Sequence, residues 1–251
     1  MNHTLEALTA FAGSLARGGV GVKLRKLGKR PEQRLELYEF ENCPFCRKVR
    51  DVLTELDLEV MVYPCPSGGE RFRPKAIALS GKRQFPFLRD PNTGRSLLES
   101  DDIITYLFEE YGDEKPNMLR RGVAASTLSA LASAVRLTRG RVARPSRAPA
   151  EPLELYSFEA SPFARLVRER LCELELPYLL HNVGKVQNLD FMPATLRNKH
   201  LDKFPIEGES RLRFVARSGK MMVPYLIDPN TGFQSFESAR INEYLERTYA
   251  L

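Results

Sequence analysis

The chain writes one segment twice, and that duplication restricts its fold more than any other feature. Leu35-Glu-Leu-Tyr-Glu-Phe-Glu41 returns as Leu153-Glu-Leu-Tyr-Ser-Phe-Glu159, a shift of 118 positions. With that shift Pro44, Phe45, Arg47, Val49 and Arg50 meet Pro162, Phe163, Arg165, Val167 and Arg168. Asp90-Pro-Asn-Thr-Gly94 returns as Asp228-Pro-Asn-Thr-Gly232 at a shift of 138, so the second copy carries about twenty extra residues, placed at about 185–213. Repetition of this kind means two copies of one structural unit.

Each copy reads in the same order. In the first, a strand at 35–40 precedes a helix at 44–57, whose Val49, Val52, Leu53 and Leu56 share one face. A strand at 59–63, a weakly patterned helix or loop at 71–80, a strand at 86–89, the turn at 90–94, a strand at 95–98 and a helix at 101–111 follow. The second copy reads 153–158, 162–175, 178–182, an irregular stretch, 223–227, 233–236 and 239–249. Pro-Asn-Thr-Gly is sound hairpin chemistry, because glycine takes positive φ freely. The order βαβ then ββα, with a parallel first pair, makes a small α/β sandwich. A short helix and a basic linker precede each copy, with Leu5, Leu8, Ala12 and Leu15 on one face of the first leader and Leu128, Leu131 and Val135 on the second. The expected divisions are 1–34, 35–112, 113–152 and 153–251.

The first copy carries Cys43-Pro44-Phe45-Cys46 where strand passes into helix. Proline is tolerated in the first turn, where its missing N–H has no intrahelical partner anyway. A thiol at a helix N-terminus faces unpaired N–H groups and the positive end of the macrodipole, which favour thiolate. Such settings bring a cysteine from about 8.5 down to roughly 3.5–7.5. Cys46, one turn deeper, is placed to resolve a mixed disulfide on Cys43. The same spacing is half a zinc site, but no second C-x-x-C exists and His3, His181 and His200 show no ligand spacing. Thiol–disulfide chemistry is the expectation, with no metal.

Strand, C-P-F-C, helix, a proline opening the third strand in Phe85-Pro86-Phe87, then hairpin and helix resemble a glutaredoxin. The Glu99-Ser100 pair before the last helix resembles the N-terminal domain of glutathione transferases. Both families have the thioredoxin fold. The resemblance covers about 35–112 and 153–250, and implies an α/β protein of two tandem thioredoxin-like domains.

That resemblance implies a glutathione groove. Pro86 would be cis, presenting the backbone of Phe85 as a strand edge for the cysteinyl part of the tripeptide. Ser100 would cap the last helix, with its hydroxyl and the following N–H groups taking the γ-glutamyl carboxylate. Glu99 would take the amino group, and Arg47 or Lys48 would stabilise thiolate or the glycyl carboxylate beside Pro44 and Phe45. Plainer roles stay open: Pro86 as an edge-strand proline, Ser100 as a cap alone, Arg47 as a solvated cation, Glu99 as a favourable charge at a helix start.

In the second copy Ser161 replaces Cys43 and Ala164 replaces Cys46, so no thiol remains for exchange. A serine there resembles serine-type glutathione transferases, and Val223, Pro224, Glu237 and Ser238 keep the rest of the implied groove. The alternative is a degenerate copy kept for packing. Cys65 is read as a loop cysteine or a third redox thiol, and Cys172 as a buried small hydrophobe.

The remaining inferences are coarser. The chain has 251 residues, 43% hydrophobic and 28% charged, which is ordinary globular composition. Four cysteines do not look like a secreted disulfide framework, and no apolar run approaches the ~20 residues of a membrane span. A reducing cytosol is expected, or an organelle if residues 1–30 act as a transit peptide. Net charge is +6, with an acid-free run from Arg120 to Arg147. Without interleaved aromatics this is read as a solvated linker rather than a nucleic-acid surface. The function expected is a glutathione-dependent thiol–disulfide oxidoreductase acting on disulfides or glutathionylated proteins and small molecules. Glutathione transfer, a non-catalytic glutathione-binding scaffold and cluster binding by a dimer are the alternatives.

Overall fold

A computed structural model describes residues 21–24, 29–112, 138–201 and 203–251. The leader helices expected near residues 5–15 and 128–135 lie outside the described residues. In the first copy β1 is Leu35–Glu39, α1 Pro44–Glu55, β2 Val60–Pro64, α2 Arg73–Ser80, β3 Phe87–Asp90, β4 Arg95–Leu97 and α3 Ser100–Tyr111. In the second, β5 is Leu153–Ser157, α4 Pro162–Glu173 and β6 Tyr178–Asn182. A short 3-10 turn Asn188–Phe191, α5 Ala194–Lys199 and α6 Glu209–Ser218 follow, then β7 Tyr225–Asp228, β8 Phe233–Ser235 and α7 Ser238–Tyr249. The mixed α/β, thioredoxin-like expectation therefore holds. The stretch at 71–80 is a helix, and the irregular stretch holds its counterpart α6. The added chain is thus narrower than 185–213, because α6 belongs to the repeat.

The two copies do not sit side by side as separate sheets. Their strands form one sheet in the order β4-β3-β1-β2-β6-β5-β7-β8. β1 and β2 are parallel, as are β5 and β6, and the seam is the antiparallel pair β2–β6. In the seam Val60 faces Leu180, Val62 faces Tyr178, and Met61 faces Leu179. Tyr178, Leu179 and Leu180 are the repeats of Val60, Met61 and Val62, so the register has a two-fold axis between Met61 and Leu179. Joining at β2 removes two exposed edges, each a template for unwanted pairing.

Alternation along each strand sends side chains to opposite faces. Leu35 and Leu37 point with Val49, Val52 and Leu53 of α1 and Ile103 and Leu107 of α3 into one apolar core. That core continues without a break through Leu153, Leu155, Val167, Leu171 and Leu245 of the second copy. Tyr38 points the other way, joining Ala76 of α2, Phe85, Phe87 and Cys43, Cys46 and Cys65. Tyr156, Phe214, Met221 and Tyr225 make the matching satellite in the second copy. Both Asp-Pro-Asn-Thr-Gly turns fold alike: Asp90 accepts from Tyr106 and Tyr111, and Asp228 from Tyr244 and Tyr249 at 2.6 Å each. Gly94 and Gly232 take the positive φ those turns require.

The described part of the basic linker is docked, which corrects the reading of a solvated linker. Ser67 and Val142 form a β-bridge, Ser146 and Ala250 another, and Arg144 pairs with Glu246 at 2.6 Å. Gly140 has φ +67, and a Cβ there would lie 2.8 Å from Cβ of Glu41. Only glycine permits that approach, and through it the linker crosses the junction of the copies.

Candidate active site

Strand β1 ends at Glu39, and the chain turns through Phe40–Asn42 into α1. Cys43 is the N-cap residue of that helix, with φ −73° and ψ 121°, and Pro44 follows in the first turn. The N–H of Cys46 donates to Cys43 Sγ at 3.2 Å. Burial pushes the Cys43 thiol up, but hydrogen bonds donated by Cys46, from side chain and backbone, outweigh burial and the field of Glu39, and the net direction is down. Burial pushes Cys46 the other way, well up, and its bond to Cys43 adds to the rise. The two thiols are thus shifted in opposite directions, Cys43 down and Cys46 up. Cys43 is 3% exposed and Cys46 fully buried. Phe45, between them, is 48% exposed and forms the lip.

The third strand supplies the facing wall. The Phe85–Pro86 peptide is cis, and Cys43 Sγ lies 4.0 Å from the Phe85 carbonyl oxygen. Phe85 precedes the β1–β3 ladder, whose register begins at Phe87. Next to it, Gln84 Nε2 donates to Glu99 Oε1 at 2.5 Å. Cys43, Cys46, Phe85, Pro86 and Glu99 are therefore brought to one end of the sheet. Glu99, not Ser100, is the N-cap residue of α3, and its carbonyl accepts from Asp102 at 3.1 Å and Ile103 at 3.0 Å. This corrects Ser100 as the cap: Ser100 is buried as the first helical residue, and no side-chain oxygen caps the helix. Glu99 takes φ +50°, a conformation that costs a non-glycine residue of order 1–3 kcal/mol and clusters at functional sites.

Arg47 is the main correction. Its side chain is fully buried, and Nε donates to Glu159 of the second copy at 2.8 Å. A guanidinium held by a buried carboxylate across the seam is committed to that contact, so it is neither solvated nor a groove cation. Arg50 joins it, with Nε 2.9 Å from Glu159 Oε2 and Nη1 on Glu39. Arg168, the repeat of Arg50, donates to Glu41, the repeat of Glu159, at 3.1 Å. The pairs are exchanged about the same two-fold axis as the sheet seam. Lys48 is likewise engaged, with Asp101 at the start of α3. Three Arg–Glu positions recurring at one shift were the sequence signal for this cluster. A charge pair on a helix normally reads as solvated surface, which is why it passes unnoticed.

Arg73, at the start of α2, is a cation beside Phe85 that sequence reasoning missed. Its guanidinium stands 4.7 Å over the Phe85 ring, and Nη1 donates to the Cys65 carbonyl at 2.7 Å. Its Nε is buried without a partner. Its signal was the recurrence of arginine at Arg211, at the later shift of 138. Cys65 is buried beside Cys43 and Cys46, and burial pushes its thiol up. Cys172 is buried too, donating to the Gly140 carbonyl at 3.3 Å. Among the described residues no group of three or more His, Cys, Asp and Glu is arranged to hold a metal ion. No helix among them is long and apolar enough to cross a membrane.

The second copy keeps the backbone and changes the chemistry. Ser161 caps α4 with φ −68° and ψ 115°, and its Oγ accepts from Ala164 N at 3.3 Å. Val223–Pro224 is cis. Ser161 and Val223 line a cavity of about 250 Å³. Glu237 is the N-cap of α7 and Ser238 its first residue, but Glu237 has φ −86°, without the strain of Glu99.

A family model for the glutathione S-transferase N-terminal domain matches residues 37–115 and 155–251. A search of curated protein sequences finds no match. Among solved structures, a Bombyx mori glutathione transferase is 29% identical over 34% of this chain and 39% of its own, with a TM-score of 0.31. The trimeric glutathione transferase of Leishmania is 13% identical over 87% of this chain and 67% of its own, with a TM-score of 0.29. The chain thus spans well under half the length of the first of these. The family match falls on both copies and covers more than half of the sequence, so this protein belongs to the glutathione S-transferase N-terminal-domain family, as a tandem pair.

Proposed function

We propose that the first copy is a glutathione-dependent thiol–disulfide oxidoreductase with Cys43 as nucleophile. The observation that carries this reading is the split thiol pair, with Cys43 Sγ accepting the Cys46 N–H at the mouth of α1 while Cys46 stays protonated inside. The Cys43 thiolate attacks the glutathionyl sulfur of a glutathionylated protein or small molecule. The S–S bond breaks, the substrate leaves as its thiolate and takes a proton from water, and Cys43 holds the glutathionyl group as a mixed disulfide. A second glutathione thiolate then displaces Cys43 and leaves as glutathione disulfide. Alternatively Cys46 gives up its proton, forms the Cys43–Cys46 disulfide and releases glutathione, and two further glutathiones reduce it.

Glutathione would lie along the Phe85–Pro86 backbone. The unpartnered Nε of Arg73 suits one of its carboxylates, in place of Arg47, and Glu99 suits its amino group. Ser100 stays in the reading only through its backbone N–H at the helix start. Four free cysteines fit a reducing compartment such as the cytosol. A transferase reading has one specific support, the Ser161 hydroxyl held in the geometry of Cys43, and it would belong to the second copy.

Reduction of the mixed disulfide between glutathione and 2-mercaptoethanol tests the proposal. Cys43→Ser abolishes turnover and Ser161→Ala leaves it unchanged. Turnover that survives Cys43→Ser ends the oxidoreductase reading. Conjugation of chlorodinitrobenzene lost with Ser161→Ala would support the transferase instead.

A further inference from the structure

The second groove is not a worn copy of the first. Chain present only in this copy, the 3-10 turn Asn188–Phe191 and α5, brings Asp190 and Arg197 to its wall. Asp190 anchors that chain: Oδ1 accepts from Arg197 and from Arg211 Nη2, and Oδ2 from the N–H groups of Val186 at 2.7 Å and Gln187 at 3.0 Å. One carboxylate therefore serves two guanidiniums and two amides, and has nothing left for a third cation. Lys185 is that third cation. Its ammonium lies 4.0 Å from the centroid of the Phe191 ring and 5.8 Å from that of Phe158, and among the described residues no carboxylate pairs with it. Burial, then Arg211 and Arg197, push it below the ordinary lysine value. A nearby anion would offset the cost of burial and screen the repulsion from the two guanidiniums.

Arg211 adds a second, independent sign. Its side chain is 3% exposed, it lines the 250 Å³ cavity, and its Nε has no hydrogen-bond partner. A buried donor left open costs about 1–3 kcal/mol, so the guanidinium beside the cavity keeps unspent hydrogen-bonding capacity. Apart from Ser161 and the mutually paired Asp190 and Arg197, the rest of the wall is apolar, with Phe158, Met192, Met221, Met222 and Val223 along it. Methionine side chains adapt to varied apolar shapes. The first copy has Ser67 where the second has Lys185, and no counterpart of Asp190 or Arg197.

We propose that the second groove binds a small amphipathic organic anion, its carboxylate on Lys185 and Arg211 and its apolar body along the methionine wall. Glutathione fits this wall less well. It is polar along its length, and Glu237, the residue placed to receive its amino group, does not line the cavity. The site performs no thiol exchange, since Ser161 and Ala164 stand where the cysteines would be.

Titration calorimetry of the full chain with octanoate, octanol, inorganic phosphate and glutathione tests this. Octanoate binds, and octanol, which lacks the charge, and phosphate, which lacks the apolar body, bind at least about tenfold more weakly. Lys185→Gln weakens octanoate about tenfold or more, as expected for a charged hydrogen bond, and Lys185→Arg restores it. Ala194→Glu, a substitution suited to a helix start, weakens octanoate by placing a carboxylate at the wall without touching Lys185. The proposal is overturned if octanoate binds no tighter than octanol or phosphate, if glutathione displaces it from the Lys185 site, or if neither Lys185→Gln nor Ala194→Glu changes its affinity.

Discussion

Arg168 of the second copy donates through Nε to Oε2 of Glu41 at 3.1 Å, and Glu41 stands two residues ahead of Cys43 in the turn that starts α1. The same turn is held at further points. Arg50 Nη2 donates to the Glu41 carbonyl at 3.1 Å, Glu41 N–H to Cys172 Sγ at 3.4 Å, and Asn42 Nδ2 to the Arg139 carbonyl at 3.0 Å. The second copy and the linker thus form the floor under the reactive turn of the first. This gives the thiol-free copy a role in shaping the turn that carries Cys43, whatever its own groove binds.

Arg168→Met leaves Glu41 as a buried carboxylate without its main partner. Removing one side of a buried pair typically costs about 3–5 kcal/mol, because the other charge stays desolvated. Urea unfolding should therefore show a loss in that range, and the pH midpoint of Cys43 alkylation should rise as the turn loosens. A loss under about 1 kcal/mol, the size of a surface pair, would mean that the cluster does not hold the copies together.

Glu39 predicts a pH dependence. Burial, only partly offset by Arg50, raises its carboxyl from 4.5 to about 7. The folded state then binds a proton that the unfolded chain has released. Stability from this group is fully present below about pH 4.5 and is lost as pH rises through 7. The wild-type unfolding free energy minus that of Glu39→Gln isolates this slope from the other carboxylates, and should fall between those values. A difference flat from pH 4 to 8 would remove Glu39 as its source.

Glu99 and Glu237 are repeats of one position with different backbones, φ +50° against −86°. Glu99→Gly relieves a left-handed side chain and should leave stability unchanged or raise it by up to about 1 kcal/mol. Glu237→Gly has no strain to relieve and should cost a few tenths of a kcal/mol, as glycine does at an N-cap. Thermal unfolding of the two variants checks the contrast. Glutathione affinity, measured by calorimetry, should fall with Glu99→Gly alone.

The strands, the paired helices and the cysteine motif were legible because each rests on a local signal: alternation at Leu35 and Leu37, a helical face at Val49, Val52 and Leu53, and proline after Cys43. The C-P-F-C spacing also foretold which sulfur would cap the helix. The seam was not legible. Val60-Met61-Val62 reads as any buried strand, and nothing in three apolar residues says that the partner is a distant copy of themselves. Arg47 failed for a related reason: a cation one turn after a reactive cysteine looks like site chemistry until a carboxylate 112 residues away is seen to hold it. Ser100 was misplaced by one residue because the cap depends on the φ of Glu99, which sequence pattern does not carry.

The Cys46 N–H on Cys43 Sγ should hold Cys43 toward thiolate. The rate of its alkylation by iodoacetamide, followed by mass spectrometry from pH 4 to 10 with and without glutathione, tests it most directly. The expected result is a midpoint below the ordinary value of about 8.5, an upward shift in Cys46→Ala, and protection by glutathione. A midpoint at or above the ordinary value, or a Cys43 that resists alkylation at neutral pH while the protein stays folded, would contradict it.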